Sequence, residues 1–256
     1  MEDATPRDQA WILEQSACLG TCFMGITPNA NLSSTIPSDT YRLALRWWLG
    51  MPILDMTARE PSLCPGCRAE LDAYGDHLLC CPRNNYNHRH AAVQESLATI
   101  LSEAGQPFAR EVTIPLTADG QLRPADLLLR AWSSGQDTAV DVTICHGWQS
   151  VERSTVATPA TREKWRAFLV RKEKAKKHKY DEACRRSGWA FLPMAFGTWG
   201  GMGPEAAKVT FRVLKRAAGW LEGDLRAGRQ EKMRLQLGLA LMRHIWSLLE
   251  TKNQVF

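Results

Sequence analysis

The chain predicts an α/β fold, and three observations carry that expectation. After a helical segment near residue 100 the apolar spacing changes from a period of about 3.6 to a period of two. Three strand-like runs then follow, PFAREVTIPL, RPADLLLRAW and TAVDVTICH, and a long basic helix separates them from a fourth, WAFLPMAF. The predicted order is helix, three strands, helix, strand, preceded by a cysteine-rich unit and followed by two helices.

Taken in order, SDTYRLALRWWL (Ser38–Leu49) begins with Ser/Asp cap candidates and spaces Tyr41, Leu43, Leu45, Trp48 and Leu49 as an amphipathic helix would. Gly50, Met51 and Pro52 end it. A second helix runs from about His90 to Ala104 and stops at Gly105. It takes in His90 and, close by, His88. Asp119-Gly120 and Ser134-Gly135 are the turns of two hairpins joining the three strands. The basic helix spans Thr161 to Arg186 and ends at Gly188, and the apolar WAFLPMAF reads as a buried strand. Gly200, Gly201 and Gly203 break the chain before helices at Pro204 to Leu221 and Gln230 to Glu250.

At 256 residues, 45% of them hydrophobic and 23% charged, the chain is long enough for one main domain with a small appended module. No uncharged apolar run approaches the roughly 20 residues of a membrane span, and MEDATPRDQAW lacks the layout of a signal peptide, so an intracellular protein is expected. The formal charge is +5, yet Arg162–Arg186 alone holds eleven Lys/Arg against four Asp/Glu, a surplus of seven. The rest of the chain is slightly acidic. A basic helix of this kind suits a phosphate backbone or a solvated face.

Of the eight cysteines, four lie between Cys64 and Cys81, which in a chain without a secretory signal points to metal before disulfides. Cys64, Cys67, His77 and Cys81 form a C-x2-C-x9-H-x3-C array able to close a tetrahedral structural Zn²⁺ site. Cys80 competes with Cys81 for the fourth position. Cys18 and Cys22 have no matching partners. Asp126 opens one apolar strand and Asp141 lies inside the next, and two carboxylates on neighbouring antiparallel strands can hold a hard cation such as Mg²⁺ or Mn²⁺. Alternatively, one of them caps a strand or pairs with Arg123 or Arg130. Glu111 is a candidate third carboxylate, Glu95 a weaker one, and His146 either assists the site or is a hydrogen-bonded core histidine. Trp165 and Trp189 are expected in the core, and exposed tryptophans would stack on unpaired bases.

ALRWWLGMP, CPGC, DAYGDHLLCC, RPADLLLRAW, DVTICH, KHKYDEAC and FLPMAFGTWGG, in this order from about Ser38 to Gly201, resemble the C-terminal region of non-LTR retrotransposon polyproteins. That region joins a zinc knuckle to a restriction-like endonuclease of the PD-(D/E)xK superfamily, whose motif residues here are Pro124, Asp126 and Asp141. The resemblance implies a restriction-endonuclease-like core over 91–203, a CCHC-type knuckle over 61–90, a helical or linker segment over 1–60 and a helical extension over 204–256. It further implies a nuclear, Mg²⁺- or Mn²⁺-dependent endonuclease that nicks DNA. Element RNA and a reverse transcriptase domain outside these residues are the implied partners. Thr143 stands where the motif has lysine, and Ala125 separates Pro124 from Asp126. The family implies a lysine supplied from the following helix, for which Lys176 and Lys179, near Tyr180, are the candidates. They share one helical face, with Ala175 and Ala183 on its packing edge. Two other readings stand beside the enzyme: a nuclease fold that binds DNA or RNA without catalysis, favoured by Thr143, and a zinc-dependent protein-interaction module.

Overall fold

The computed structural model describes residues 35–54, 61–81, 83–84, 86–116, 120–146, 162–219 and 221–253, together with Asp8, Trp11, Ile12, Leu19 and Met24. Six helices and four strands lie among them: α1 (Ser38–Trp48), α2 (Asp76–Cys80), α3 (Tyr86–Glu103), β1 (Phe108–Leu116), β2 (Gly120–Ser133), β3 (Gln136–Cys145), α4 (Arg162–Arg186), β4 (Ala190–Gly197), α5 (Pro204–Ala217) and α6 (Gly223–Asn253). The expected order of helix, three strands, helix, strand is therefore present from α3 to β4. No described helix is long and apolar enough to cross a membrane.

The four strands form one open mixed sheet in the order β1-β2-β3-β4, antiparallel at the first two junctions and parallel at the third. The β2–β3 hairpin closes on Ser134 and Gly135 at φ 50° and 80°, the two positive values that a tight turn between right-twisted strands needs. The other expected turn, at Asp119, lies outside the described residues. The parallel β3–β4 pairing follows from α4, which crosses over between them and packs on both. Pro193, paired in register with Asp141, is tolerated because β4 is an edge strand.

Strand alternation divides the sheet between two apolar layers. Leu127, Leu129, Val140, Val142, Met194 and Phe196 face the larger core, shared with α1, α3, α5 and α6. Leu128, Ala139 and Phe191 face the opposite way, against Tyr180 and Cys184 of α4.

Helix α1 departs from expectation in two respects. Its N-cap is Pro37 with no side-chain cap bond, and Asp39 pairs with Arg42 instead. Its buried face is Leu43, Ala44 and Trp47, leaving Tyr41 and Leu49 exposed. The reason is Trp47, whose indole stacks on Trp199 with centroids 5.7 Å apart and so decides which face turns inward. Helices α3 and α6 begin four and seven residues earlier than expected, whereas α5 ends four residues sooner, at Ala217. Trp189 is partly buried against the α4 side of the sheet; Trp165 lies outside the described side chains.

One buried carboxylate explains how α4 and α5 are joined. Glu173, 4% exposed, accepts the backbone N–H groups of Glu205 (3.2 Å) and Ala206 (3.1 Å) at the N-terminus of α5. Burial pushes this carboxyl up, and those N–H groups pull it back. Gly203 precedes the helix because a Cβ there would run into the Glu173 carboxylate. Gly203→Ala is expected to destabilise the fold by about 1–3 kcal/mol, as overpacking at a filled site does. Urea unfolding checks this, and an unchanged midpoint would show that Glu173 can move aside.

Candidate metal centre and acidic site

The ligand atoms of Cys64, Cys67, His77 and Cys81 all lie within 4.8 Å of one another, so the four residues could hold a metal such as zinc. Tetrahedral Zn–S bonds set thiolates about 3.8 Å apart, and that fits within this spread. Local backbone structure explains the convergence. The Cys64 N–H donates to Ala69 O and the Arg68 N–H to Cys64 O, with Arg68 at φ 66°, so the first two cysteines sit on one tight turn. Asp72 then accepts the N–H groups of Tyr74, Asp76 and His77 at 2.9, 3.0 and 2.9 Å, capping α2 and fixing His77 at its start. The Cys81 N–H donates to His77 O at 2.8 Å. That helical i, i+4 step puts Cys81 on the face of His77 and brings its sulfur into the group. The side chain of Cys80 lies outside the described residues, as do Cys18, Cys22 and the side chain of His88.

Burial weighs against a charged Cys64, but the N–H groups of Cys67 and Gly66 and the thiols of Cys81 and Cys67 outweigh it and bring Cys64 down to about 6. Burial pushes Cys81 up. The thiol cluster thus already favours one thiolate, the ligand form. The unit is continuous with the main core, since Cys64, Leu71, Leu78, Leu79 and Cys81 are buried in the same cluster as α3, α6 and the sheet.

The second constellation lies on the sheet. Glu111 lies between Arg110, which pairs with Leu127, and Val112, which pairs with Ala125, and so neighbours Asp126; Asp126 and Asp141 each adjoin the Leu127–Val140 pair. Three carboxylates therefore form a row across β1, β2 and β3. Like charges in such a row repel unless each is compensated, and each has a partner. Asp126 Oδ2 accepts the Val142 N–H at 2.6 Å and lies 2.7 Å from His90 Nε2. Both Asp141 oxygens meet Lys176 Nζ, at 3.1 and 2.9 Å. The Gln94 amide donates to Glu111 Oε1 at 2.8 Å and to the Asp126 carbonyl at 2.9 Å. Glu111 is exposed and adopts φ 49°, a left-handed conformation that costs a non-glycine residue energy and often marks a functional position.

The charges are graded by burial. Asp141 is 5% exposed, and burial pushes its carboxyl above the usual range, opposed by Lys176 and reinforced by Asp126. The hydrogen bond to Asp126 holds His90 above the ordinary imidazole range, with help from the charges of Asp126, Asp141 and Glu111 and against burial. Thr143 Oγ1 lies 3.4 Å from Asp141 Oδ2, so Thr143 touches that carboxylate without supplying charge.

The lysine candidates separate. Both ammoniums lie over the Tyr180 ring, Lys176 at 5.6 Å and Lys179 at 4.8 Å, and Lys176 also reaches Asp141. Tyr180 itself is 8% exposed and packs on Phe191, in the core under α4. Ala183 packs against that core as expected, but Ala175 is exposed. Glu95 pairs with Arg110, and Arg130 pairs with Asp137 rather than with either motif carboxylate. His146 is the core histidine. It is 1% exposed, packs at a tilt against Trp199, and lies between Thr198 Oγ1 (2.6 Å) and Asp76 Oδ1 (3.2 Å), tying α2 to the end of β4.

Sequence reasoning placed His90 in α3 and passed over Gln94. Their signal was an i, i+4 polar pair beside the apolar positions Val93, Leu97 and Leu101 of the same helix. Neither a family model nor a curated protein matches the chain.

Proposed function

We propose that this chain is the zinc-knuckle and restriction-like endonuclease region of a non-LTR retrotransposon-type protein and that it nicks DNA in the nucleus. The reading is supported above all by one observation, a lysine from the crossover helix, Lys176, seated on the motif carboxylate Asp141 beside Asp126. The order from α3 to β4 is compatible with a restriction-endonuclease-like core. Asp126 and Asp141 are oxygen donors on neighbouring strands, a donor type that suits a hard divalent cation. Bound there, Mg²⁺ or Mn²⁺ would supply Lewis-acid stabilisation of the phosphoryl oxygens.

The chain's own residues would do the rest. Water attacks phosphorus, the P–O3′ bond breaks, and the products carry a 3′-hydroxyl and a 5′-phosphate. Lys176 orients the attacking water and offsets the negative charge that gathers on the phosphoryl oxygens. Asp141 holds that ammonium in place. The exposed cations of α4, among them Arg171, Lys174 and Lys177, face solvent where a phosphate backbone can reach them. Element RNA and a reverse transcriptase domain remain the partners this reading implies.

Nicking of supercoiled plasmid with Mg²⁺ or Mn²⁺ tests the proposal: wild type is expected to convert it to open circle, and Asp126→Ala and Asp141→Ala are not. Thr143 beside Asp141 favours the second reading, a nuclease fold that binds without cutting. Wild-type protein that binds DNA yet never nicks it with either metal would establish that alternative. Replacing Lys174 and Lys177 together by Gln is expected to weaken binding to all duplexes alike and to flatten the salt dependence by about one unit of slope per lost contact. An unchanged slope would make these residues a solvated face.

A further inference from the structure

We infer that the solvent face of α5 binds an unpaired nucleic-acid strand, with a base stacked on Phe211 and the flanking phosphates held by Arg212, Lys215 and Arg216. Phe211 is 52% exposed, and of the Phe, Tyr and Trp side chains among the described residues only Tyr41 is exposed besides it. A ring left in water forgoes the burial that aromatic side chains usually find, and this one lies within a cationic face. Helix α5 carries four cations, Lys208, Arg212, Lys215 and Arg216, all exposed, against one acid, Glu205, which pairs with Lys208.

The helix presents these groups together. Lys208, Phe211, Arg212, Lys215 and Arg216 are linked by three- and four-residue steps and so share one stripe. The other side, with Val209, Val213 and Leu214, is buried in the main core. The stripe is also held in place. Arg212 donates to the Trp132 carbonyl at 2.6 Å with its guanidinium 4.3 Å from the centroid of that indole, and Glu173 holds the N-terminus of α5.

Charge alone would suit any phosphate backbone; the ring narrows the partner. In a duplex the flat faces of the bases are stacked on one another, whereas an unpaired strand offers them to an aromatic side chain. Neither contact engages the sugar. The surface is distinct from the acidic row. Asp141 lies between Val140 and Val142, which face the core that α5 shares, so its carboxylate and Lys176 lie on the opposite face of the sheet. The inference therefore does not depend on whether the row cuts DNA.

The test uses the full chain with its cysteine site filled with zinc, and labelled oligo-dT, oligo-U and a duplex as probes. Wild type should bind both single strands. Phe211→Leu, which removes the ring and keeps an apolar side chain, should bind them about tenfold more weakly and leave duplex affinity unchanged. Phe211→Tyr, which keeps the ring, should bind as wild type does. Replacing Lys215 and Arg216 together by Gln should flatten the salt dependence of oligo-dT binding by about 0.7 unit of slope per lost contact. Irradiation of wild type with an oligonucleotide carrying 5-iodouracil should place the cross-link on Phe211, a result that a merely structural role for the ring would not give.

Wild type that binds neither single strand, Phe211→Leu that binds them as tightly as wild type, or an equal loss on single strand and duplex would each overturn the inference. So would a dependence on Phe211 confined to one sugar, or a cross-link that falls elsewhere. Self-association of wild type that Phe211→Leu abolishes would assign the face to a second copy of the chain instead. Plasmid nicking is scored separately: strand binding through Phe211 without nicking rejects the nuclease reading alone, whereas nicking without it rejects the role of α5 alone.

Discussion

Lys176→Ala is expected to lower the nicking rate by a factor on the order of 10³, with little change in affinity for DNA, because in the proposed mechanism it removes the cation beside the reacting phosphate and not a backbone contact. The expectation starts from Asp141. That carboxylate is 5% exposed and keeps both oxygens on Lys176 Nζ. Without the ammonium, burial drives the carboxyl towards its neutral form, and Thr143, at 3.4 Å, brings no replacement charge. Lys179→Ala is the internal control. Its ammonium lies over the Tyr180 ring and not on a carboxylate of the row, so its loss should leave cleavage near the wild-type rate. Steady-state nicking of both variants, with binding measured in parallel, checks the pair. Equal losses in the two would remove the distinction drawn between them, and undiminished cleavage by Lys176→Ala would remove the lysine from the mechanism.

Withdrawal of the metal from the cysteine site is the second large effect. A chelator that strips it should lower the melting temperature of the whole chain by roughly 10–20 °C, taking a loss of about 5 kcal/mol out of the larger binding energies of structural zinc. The effect should spread because Leu71, Leu78 and Leu79 are buried with Val93, Leu97 and Leu101 of α3 and with Met233, Leu237 and Leu241 of α6. The buried link from Asp76 through His146 to Thr198 carries it to the end of β4 as well. Acid should act in the same direction, since the binding of zinc by thiolate and imidazole ligands weakens as pH falls. Calorimetry with and without chelator, and on His77→Ala, measures the shift. A melting temperature unchanged after complete metal removal would show that packing alone sustains the unit.

The features that were legible in the sequence are those written at short range. The Cys64, Cys67, His77 and Cys81 spacing describes one turn and one helical step, and the period-two runs describe strands whose turn, Ser134-Gly135, is spelled out in adjacent residues. Asp126 and Asp141 stood out because a carboxylate within an apolar strand needs compensation. What supplies that compensation was only partly visible. His90 precedes Asp126 by 36 residues, and their meeting depends on how α3 lies over the sheet. Lys176 and Lys179 share a helical face, so periodicity treats them alike; only the contact of Lys176 with Asp141, 35 residues earlier in the chain, separates them. The Glu173 contact with α5 was hidden for the same reason, since a glutamate in a basic helix gives no sign that it will cap a helix 32 residues away. The buried face of α1 depended on a partner for Trp47 more than 150 residues further on.

The central claim is that the acidic row cuts DNA, and one comparison tests it most directly. Wild-type protein and an Asp126→Asn, Asp141→Asn double variant, matched for zinc content and DNA binding, are incubated with supercoiled plasmid and Mn²⁺, and the nicked product is assayed for ends that a polymerase extends. Open circles with extendable 3′-hydroxyl ends from wild type, and none from the double variant, are the predicted result. Nicking that persists undiminished in the double variant, or no nicking by wild type with either Mn²⁺ or Mg²⁺, would contradict it.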